Sequence, residues 1–209
     1  MRFYTALINK QPEVLVGFEQ GGTAYRLPLL AKLAPELAFS DMNALILGYN
    51  DKVKATLARL AANADTLQGA AVAVDEVQLL APIVRPLQDV VCLGINYDAH
   101  AQEAGRFSDE AFGGERPYTI YFSKRVNRAT ATGEKVPAYA GLVDSLDYEA
   151  ELGVVLGRDA KGVTKEEARD YVFGYTIIND ISARNLQTRH KQWYLGKSLD
   201  GFTPMGKYR

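Results

Sequence analysis

The chain has 209 residues, 47% of them hydrophobic and 23% charged, with 24 Lys plus Arg against 25 Asp plus Glu and a formal net charge of -1. Folding a chain of this size hides roughly 70% of the surface its unfolded form exposes, enough for an independent core. The even charge balance leaves no basic field to hold nucleic acid phosphates. No apolar run approaches the roughly 20 residues needed to cross a bilayer, and the N-terminus lacks a basic region followed by a long apolar stretch. A cytoplasmic protein without membrane or nucleic acid partners is expected. The single cysteine, Cys92, excludes an intrachain disulfide, and with only His100 and His190 beside it a cysteine-based zinc site is untenable. Any metal is expected to be a hard one held by oxygen.

In chain order, Arg2 to Ile8, Val14 to Phe18 and Ala24 to Leu27 alternate like short strands, separated by Asn9-Lys10-Gln11-Pro12 and Gly21-Gly22. Helical spacing follows from Ser40 to Ala64, with Met42, Leu45 and Ile46 in one segment and Val53, Leu57 and Leu60 in the next, behind a cap at Asn50. A largely apolar run from Val77 to Val84 closes at Arg85-Pro86, and proline restricts its predecessor to extended geometry. This places a domain boundary there: a small N-terminal unit over residues 1–86 and a second unit over 87–209.

The second unit opens with Val90 to Gly94, read as a buried strand, and a short helix over Asn96 to Ala104 ended by Gly105. The polar segment from Arg106 to Pro117 reads equally as a lid or as an irregular surface loop. Tyr118 to Lys124 is a strand, Arg125 to Leu146 is turn-rich, Asp147 to Gly157 is a strong strand, Thr164 to Tyr171 a charged helix and Val172 to Ile181 a final apolar strand.

Four features could carry chemistry. In Asp147-Tyr148-Glu149-Ala150-Glu151, alternation puts Glu149 and Glu151 on one face about 7 Å apart, either on a solvated edge or around a divalent cation. The continuation Val154-Val155-Leu156 suggests burial on both faces, which favours the cation. Asp180 closes an apolar strand and either caps the next segment or joins the glutamates as a third ligand, a set suited to Mg²⁺, Mn²⁺ or Ca²⁺. His100 and Glu103, one helical turn apart, are either a surface pair or a dyad that takes a proton from water. Lys197, in Trp193-Tyr194-Leu195-Gly196-Lys197-Ser198, is either a snorkelling surface lysine or a cation that meets a developing oxyanion.

Taken in order, Gly94-Ile95-Asn96-Tyr97 with His100 and Glu103, Phe122-Ser123-Lys124, Asp147 to Leu152, Asn179-Asp180-Ile181-Ser182-Ala183-Arg184 with Gln187, and Gly196 to Asp200 with Phe202 to Gly206 resemble the fumarylacetoacetate hydrolase family. The resemblance is to small bacterial members of acylpyruvase or hydroxyheptadienedioate isomerase type. The resemblance implies a mainly β fold with α elements (α+β), a mixed-sheet roll or barrel-like catalytic core behind a small N-terminal α+β domain. It implies a Mg²⁺ or Mn²⁺ site on Glu149, Glu151 and Asp180, a small oxo-acid substrate and a homodimer. It further implies that His100 and Glu103 activate water, that Lys197 steadies an oxyanion, and that Lys124, Arg184 and Gln187 contact substrate, with 106–117 as the lid. Hydrolysis of a carbon–carbon bond in a 1,3-diketo acid is the leading expectation, and isomerisation or decarboxylation of a hydroxymuconate-type dienedioate the alternative. Family members continue well past the Met-Gly dipeptide at 205–206, whereas this sequence stops at Arg209, so a shortened, non-catalytic homologue that self-associates through apolar strands is the rival expectation.

Overall fold

The computed structural model describes residues 1–19, 21–96, 118–189 and 191–206. Most of the expected helix over 96–104, the expected lid, His100, Glu103 and His190 lie outside the described residues.

The first half of the chain carries a five-stranded sheet whose strands lie in the spatial order Ala71–Ala73, Thr23–Arg26, Gln11–Gly17, Arg2–Ile8, Gln78–Leu79. Strands β1 (Arg2–Ile8) and β2 (Gln11–Gly17) pair antiparallel, with Ile8 opposite Gln11, so only Asn9 and Lys10 turn the chain. Both have positive φ, 49° and 65°, the conformation whose twist suits a two-residue hairpin loop. Strands β3 (Thr23–Arg26), β4 (Ala71–Ala73) and β5 (Gln78–Leu79) complete the sheet. The short helix α1 (Leu27–Leu30) follows β3, and α2 (Met42–Gly48) and α3 (Asp51–Ala61) come next. The latter two begin at side-chain caps: Asp41 accepts from the Ala44 amide at 2.9 Å and Asn50 from the Val53 amide at 3.1 Å, as expected for Asn50. Met42, Leu45, Ile46, Val53, Leu57 and Leu60 face inward and pack with Val14, Val16 and Leu27 into the main core.

The second half curls into a half-barrel of paired strands, giving the mixed α and β architecture expected. β6 (Val90–Gly94) pairs antiparallel with β7 (Ile120–Lys124), and β8 (Leu146–Asp147) with β11 (Ser182–Ala183). β9 (Ala150–Leu156) pairs with β10 (Val172–Asn179), which also takes β12 (Met205–Gly206). Helices α4 (Arg184–Arg189) and α5 (Tyr194–Lys197) follow.

Three expectations need correction. β9 is not buried on both faces: Leu152, Val154 and Leu156 are 60%, 53% and 54% exposed, because the sheet is covered on one side only. β6 is likewise one-sided, with Val91 and Leu93 exposed. The expected helix from Thr164 to Tyr171 is a single 3-10 turn at Ala168–Tyr171. Thr164 and Glu167 cap each other reciprocally there, but no residue of the turn is buried, and without an apolar face a longer helix has nothing to pack against. Among the described residues no helix is long and apolar enough to cross a membrane.

Candidate active site

The site forms where the β9–β10 ladder ends. Ala150 lies opposite Asn179, and one step further the Asp180 amide donates to the Glu149 carbonyl at 2.8 Å, which sets the two acidic residues side by side. Asn179 fixes this end, its Oδ1 accepting from the Glu149 amide at 3.1 Å. The chain then re-pairs as β8–β11, with Ser182 opposite Asp147, so Asp147 stands beside Arg184 at the start of α4.

Three cations enter this acidic corner. Lys197, the last residue of α5, donates from Nζ to Glu149 Oε2 at 2.5 Å and to Asp180 Oδ2 at 2.8 Å, with its side chain only 3% exposed. Its ammonium lies 5.1 Å from the centre of the Phe122 ring, which packs edge-on against Trp193. Lys124, at the end of β7 and 0% exposed, donates to Asp180 Oδ1 at 2.6 Å and to the Ile181 carbonyl at 3.2 Å. Arg184 donates to Asp147 Oδ2 at 2.6 and 3.0 Å, to Glu149 Oε1 at 2.6 Å and to Gln187 Oε1 at 2.8 Å. The result is a row of alternating charge: Lys124, Asp180, Lys197, Glu149, Arg184, Asp147. α5 reaches the row because Gly196 lets it close on α4; a Cβ there would stand 2.5 Å from the Gln187 amide nitrogen.

The electrostatics follow from burial with full pairing. Burial pushes the Glu149 carboxyl toward protonation, but Lys197 and Arg184 outweigh it and hold it at about 2. Burial pulls Lys124 below the usual lysine range while Asp180 resists. Burial raises the Cys92 thiol to about 12, and Asp180 and Glu151 push in the same direction while Lys124 and Lys197 oppose them.

Of the residues expected from sequence, Lys124, Glu149, Asp180, Arg184, Gln187 and Lys197 stand together. Lys197 is no snorkelling surface residue, Glu149 is no solvated edge group, and the Asp180 carboxylate holds lysines instead of capping a helix. Arg184 and Gln187 bond to each other, and Arg184 orients Glu149. Glu151 lies two residue pairs further along the ladder from Glu149, opposite Ile178. Among the described residues no three acidic, His or Cys side chains gather closely enough to hold a metal by themselves. Glu149 and Asp180 nevertheless converge on one cationic centre, the Lys197 ammonium, through oxygen donors only, and that chemistry fits a hard divalent cation and not a thiophilic one. Asp147, Asn179, Phe122 and Cys92 escaped the sequence reading as site residues. Phe122, Asp147 and Asn179 stand inside the motifs quoted above, and the alternation of Glu151 and Glu149 extends one step back to Asp147; Cys92 left no signal. A separate, mostly apolar cavity of about 530 Å³ lies between the N-terminal unit and β9–β10, against Phe3, Met42, Ile83, Leu152 and Phe173, and no member of the ionic row lines it.

The stretch that matches the oxaloacetate tautomerase YisK of Bacillus subtilis (strain 168) is 131 residues long at 47% identity, 63% of this chain and 42% of that protein. The chain matches the fumarylacetoacetate hydrolase of psychrophilic Exiguobacterium antarcticum with a TM-score of 0.72 and 30% identity, over 98% of this chain and 64% of that one. It shares its fold with the maleylpyruvate hydrolase of Sphingobium sp. SYK-6, solved with manganese(II) and pyruvate, at a TM-score of 0.67 and 22% identity over 99% of this chain and 65% of that one. The chain thus spans about two fifths of the length of the curated relatives it matches and less than two thirds of these solved chains. The family profile for the C-terminal part of fumarylacetoacetate (FAA) hydrolases matches residues 89–208, more than half of the chain and every residue of the ionic row, and the chain belongs to that family.

Proposed function

We propose that this chain carries the site of a divalent-metal-dependent enzyme that forms and reprotonates the enolate of a small 2-oxo acid, with keto–enol tautomerisation of an oxaloacetate-like diacid as its reaction. The observation that carries the reading is the buried pair Glu149 and Asp180 converging on one cationic centre. The named activity of the 47%-identical relative supports the substrate class. In this reading Glu149, Glu151 and Asp180 would hold Mg²⁺ or Mn²⁺, and the ion would supply Lewis-acid stabilisation of the enolate. Lys197 supplies positive charge where the enolate oxygen develops, Arg184 and Lys124 orient the two carboxylates, and His100 exchanges the proton at carbon 3.

Hydrolysis of a carbon–carbon bond in a 1,3-diketo acid is the second reading, favoured by the 30%-identical structure named a fumarylacetoacetate hydrolase. It shares the enolate and adds water. Freshly dissolved oxaloacetate, rich in enol, separates them: with Mn²⁺ the full chain is expected to speed the loss of enol absorbance without releasing new products, and Glu149→Gln to lose most of that rate. Release of pyruvate from an acylpyruvate, with no effect on oxaloacetate, would replace the first reading by the second.

A further inference from the structure

Each of the two central carboxylates uses its oxygens differently. Glu149 Oε1 is held by Arg184 and Asp180 Oδ1 by Lys124, whereas Glu149 Oε2 and Asp180 Oδ2 both face Lys197. The two outer cations have second anchors: Arg184 also grips Asp147 and Gln187, and Lys124 also donates to the Ile181 carbonyl. Among the described residues the Lys197 ammonium donates to the two inward oxygens and otherwise lies over the Phe122 ring. A cation that bound both carboxylates through those oxygens would have to take the place of the ammonium. The two could not share it, because like charges a few ångströms apart in a site this dry repel strongly. Lysine suits such an exchange: a compact charge on a flexible four-carbon stem can leave without moving its backbone.

We propose that Lys197 is the built-in counter-ion of the metal site, competing with the divalent cation for Glu149 and Asp180, so that loading the metal frees this ammonium for the substrate oxyanion. The inference rests on the reading above that these carboxylates take a hard cation. It makes one event out of two requirements, since the ammonium that neutralises the two carboxylates becomes available for catalysis only when the metal replaces it.

The test uses the full chain and two readouts that do not involve turnover. In calorimetric titration with MnCl₂, Lys197→Met is expected to bind roughly tenfold or more tightly than the wild type, because the metal no longer has to displace a paired charge. In the wild type with ¹⁵N-labelled lysine, the buried ammonium groups of Lys124 and Lys197 are expected to give two slowly exchanging NMR signals, of which saturating Mg²⁺ removes one. Equal or weaker Mn²⁺ binding by Lys197→Met, or survival of both ammonium signals in Mg²⁺-saturated wild type, would overturn the competition and leave the metal reading standing. Absence of Mn²⁺ binding to wild type and variant alike would overturn both. The NMR readout keeps the proposal open to refutation if the variant fails to fold.

Discussion

Glu149 is the residue on which the site turns. It is nearly buried, accepts from Lys197 and Arg184, and is held at about 2 against an ordinary value of 4.5. A carboxyl with a depressed folded-state pKa contributes stability that is fully present above its unfolded value and is lost as pH falls through the folded one. Glu149→Gln, measured by urea unfolding in the presence of chelator, is therefore expected to be less stable than wild type by about 3 kcal/mol at pH 7. That gap should close progressively between pH 4.5 and pH 2. A gap that stayed constant over the whole range would mean that lost packing, and not lost charge, is the cause. Residue types were legible here, because Glu149, Asp180 and Lys197 all carry the motif. Their partners were not, since Lys197 lies 48 positions from Glu149 and nothing local encodes that contact.

At the scale of elements, the period-two pattern correctly announced most strands, and Asn50 announced its helix. The register of β9 on β10 then aligned Glu149 with Asp180, which no single segment could reveal. Which faces are covered was misread for β6 and β9, because valine and leucine favour strands on either face and their burial is decided by what packs above. The approach of α5 to α4 is a second element-level dependence. A methyl group at position 196 would meet the Gln187 amide nitrogen at 2.5 Å and the Ala183 carbonyl oxygen at 2.8 Å, both backbone atoms that cannot step aside. Gly196→Ala is expected to destabilise by about 1–3 kcal/mol, lower Tm by several degrees and shift Lys197 off its carboxylates. An unchanged Tm together with full activity would show that the two helices tolerate a wider spacing.

For the molecule as a whole, one face of the β9–β10 sheet presents Leu152, Val154, Leu156, Tyr175 and Ile177 to solvent, the last two 59% and 47% exposed. Soluble monomers seldom carry a contiguous apolar surface of this kind. We propose that the chain buries it against a second copy, and a twofold pairing is the commonest closed arrangement. Sedimentation velocity at low micromolar concentration is expected to give a dimer, which Val154→Lys, placed in the middle of the face, should shift toward monomer. A wild-type chain that sediments as a monomer throughout would remove this proposal.

The row of alternating charge has unequal ends, and this grades its exposure to ions in the medium. At one end the Lys124–Asp180 pair is closed off, with side chains 0% and 7% exposed; at the other, Asp147 is 32% exposed beside Arg184. Mobile ions screen what they can approach and leave the interior of the row to its own fields. Rising salt is therefore expected to loosen the site from the Asp147 end inward, weakening the hold of Arg184 on Glu149 before it reaches the lysines.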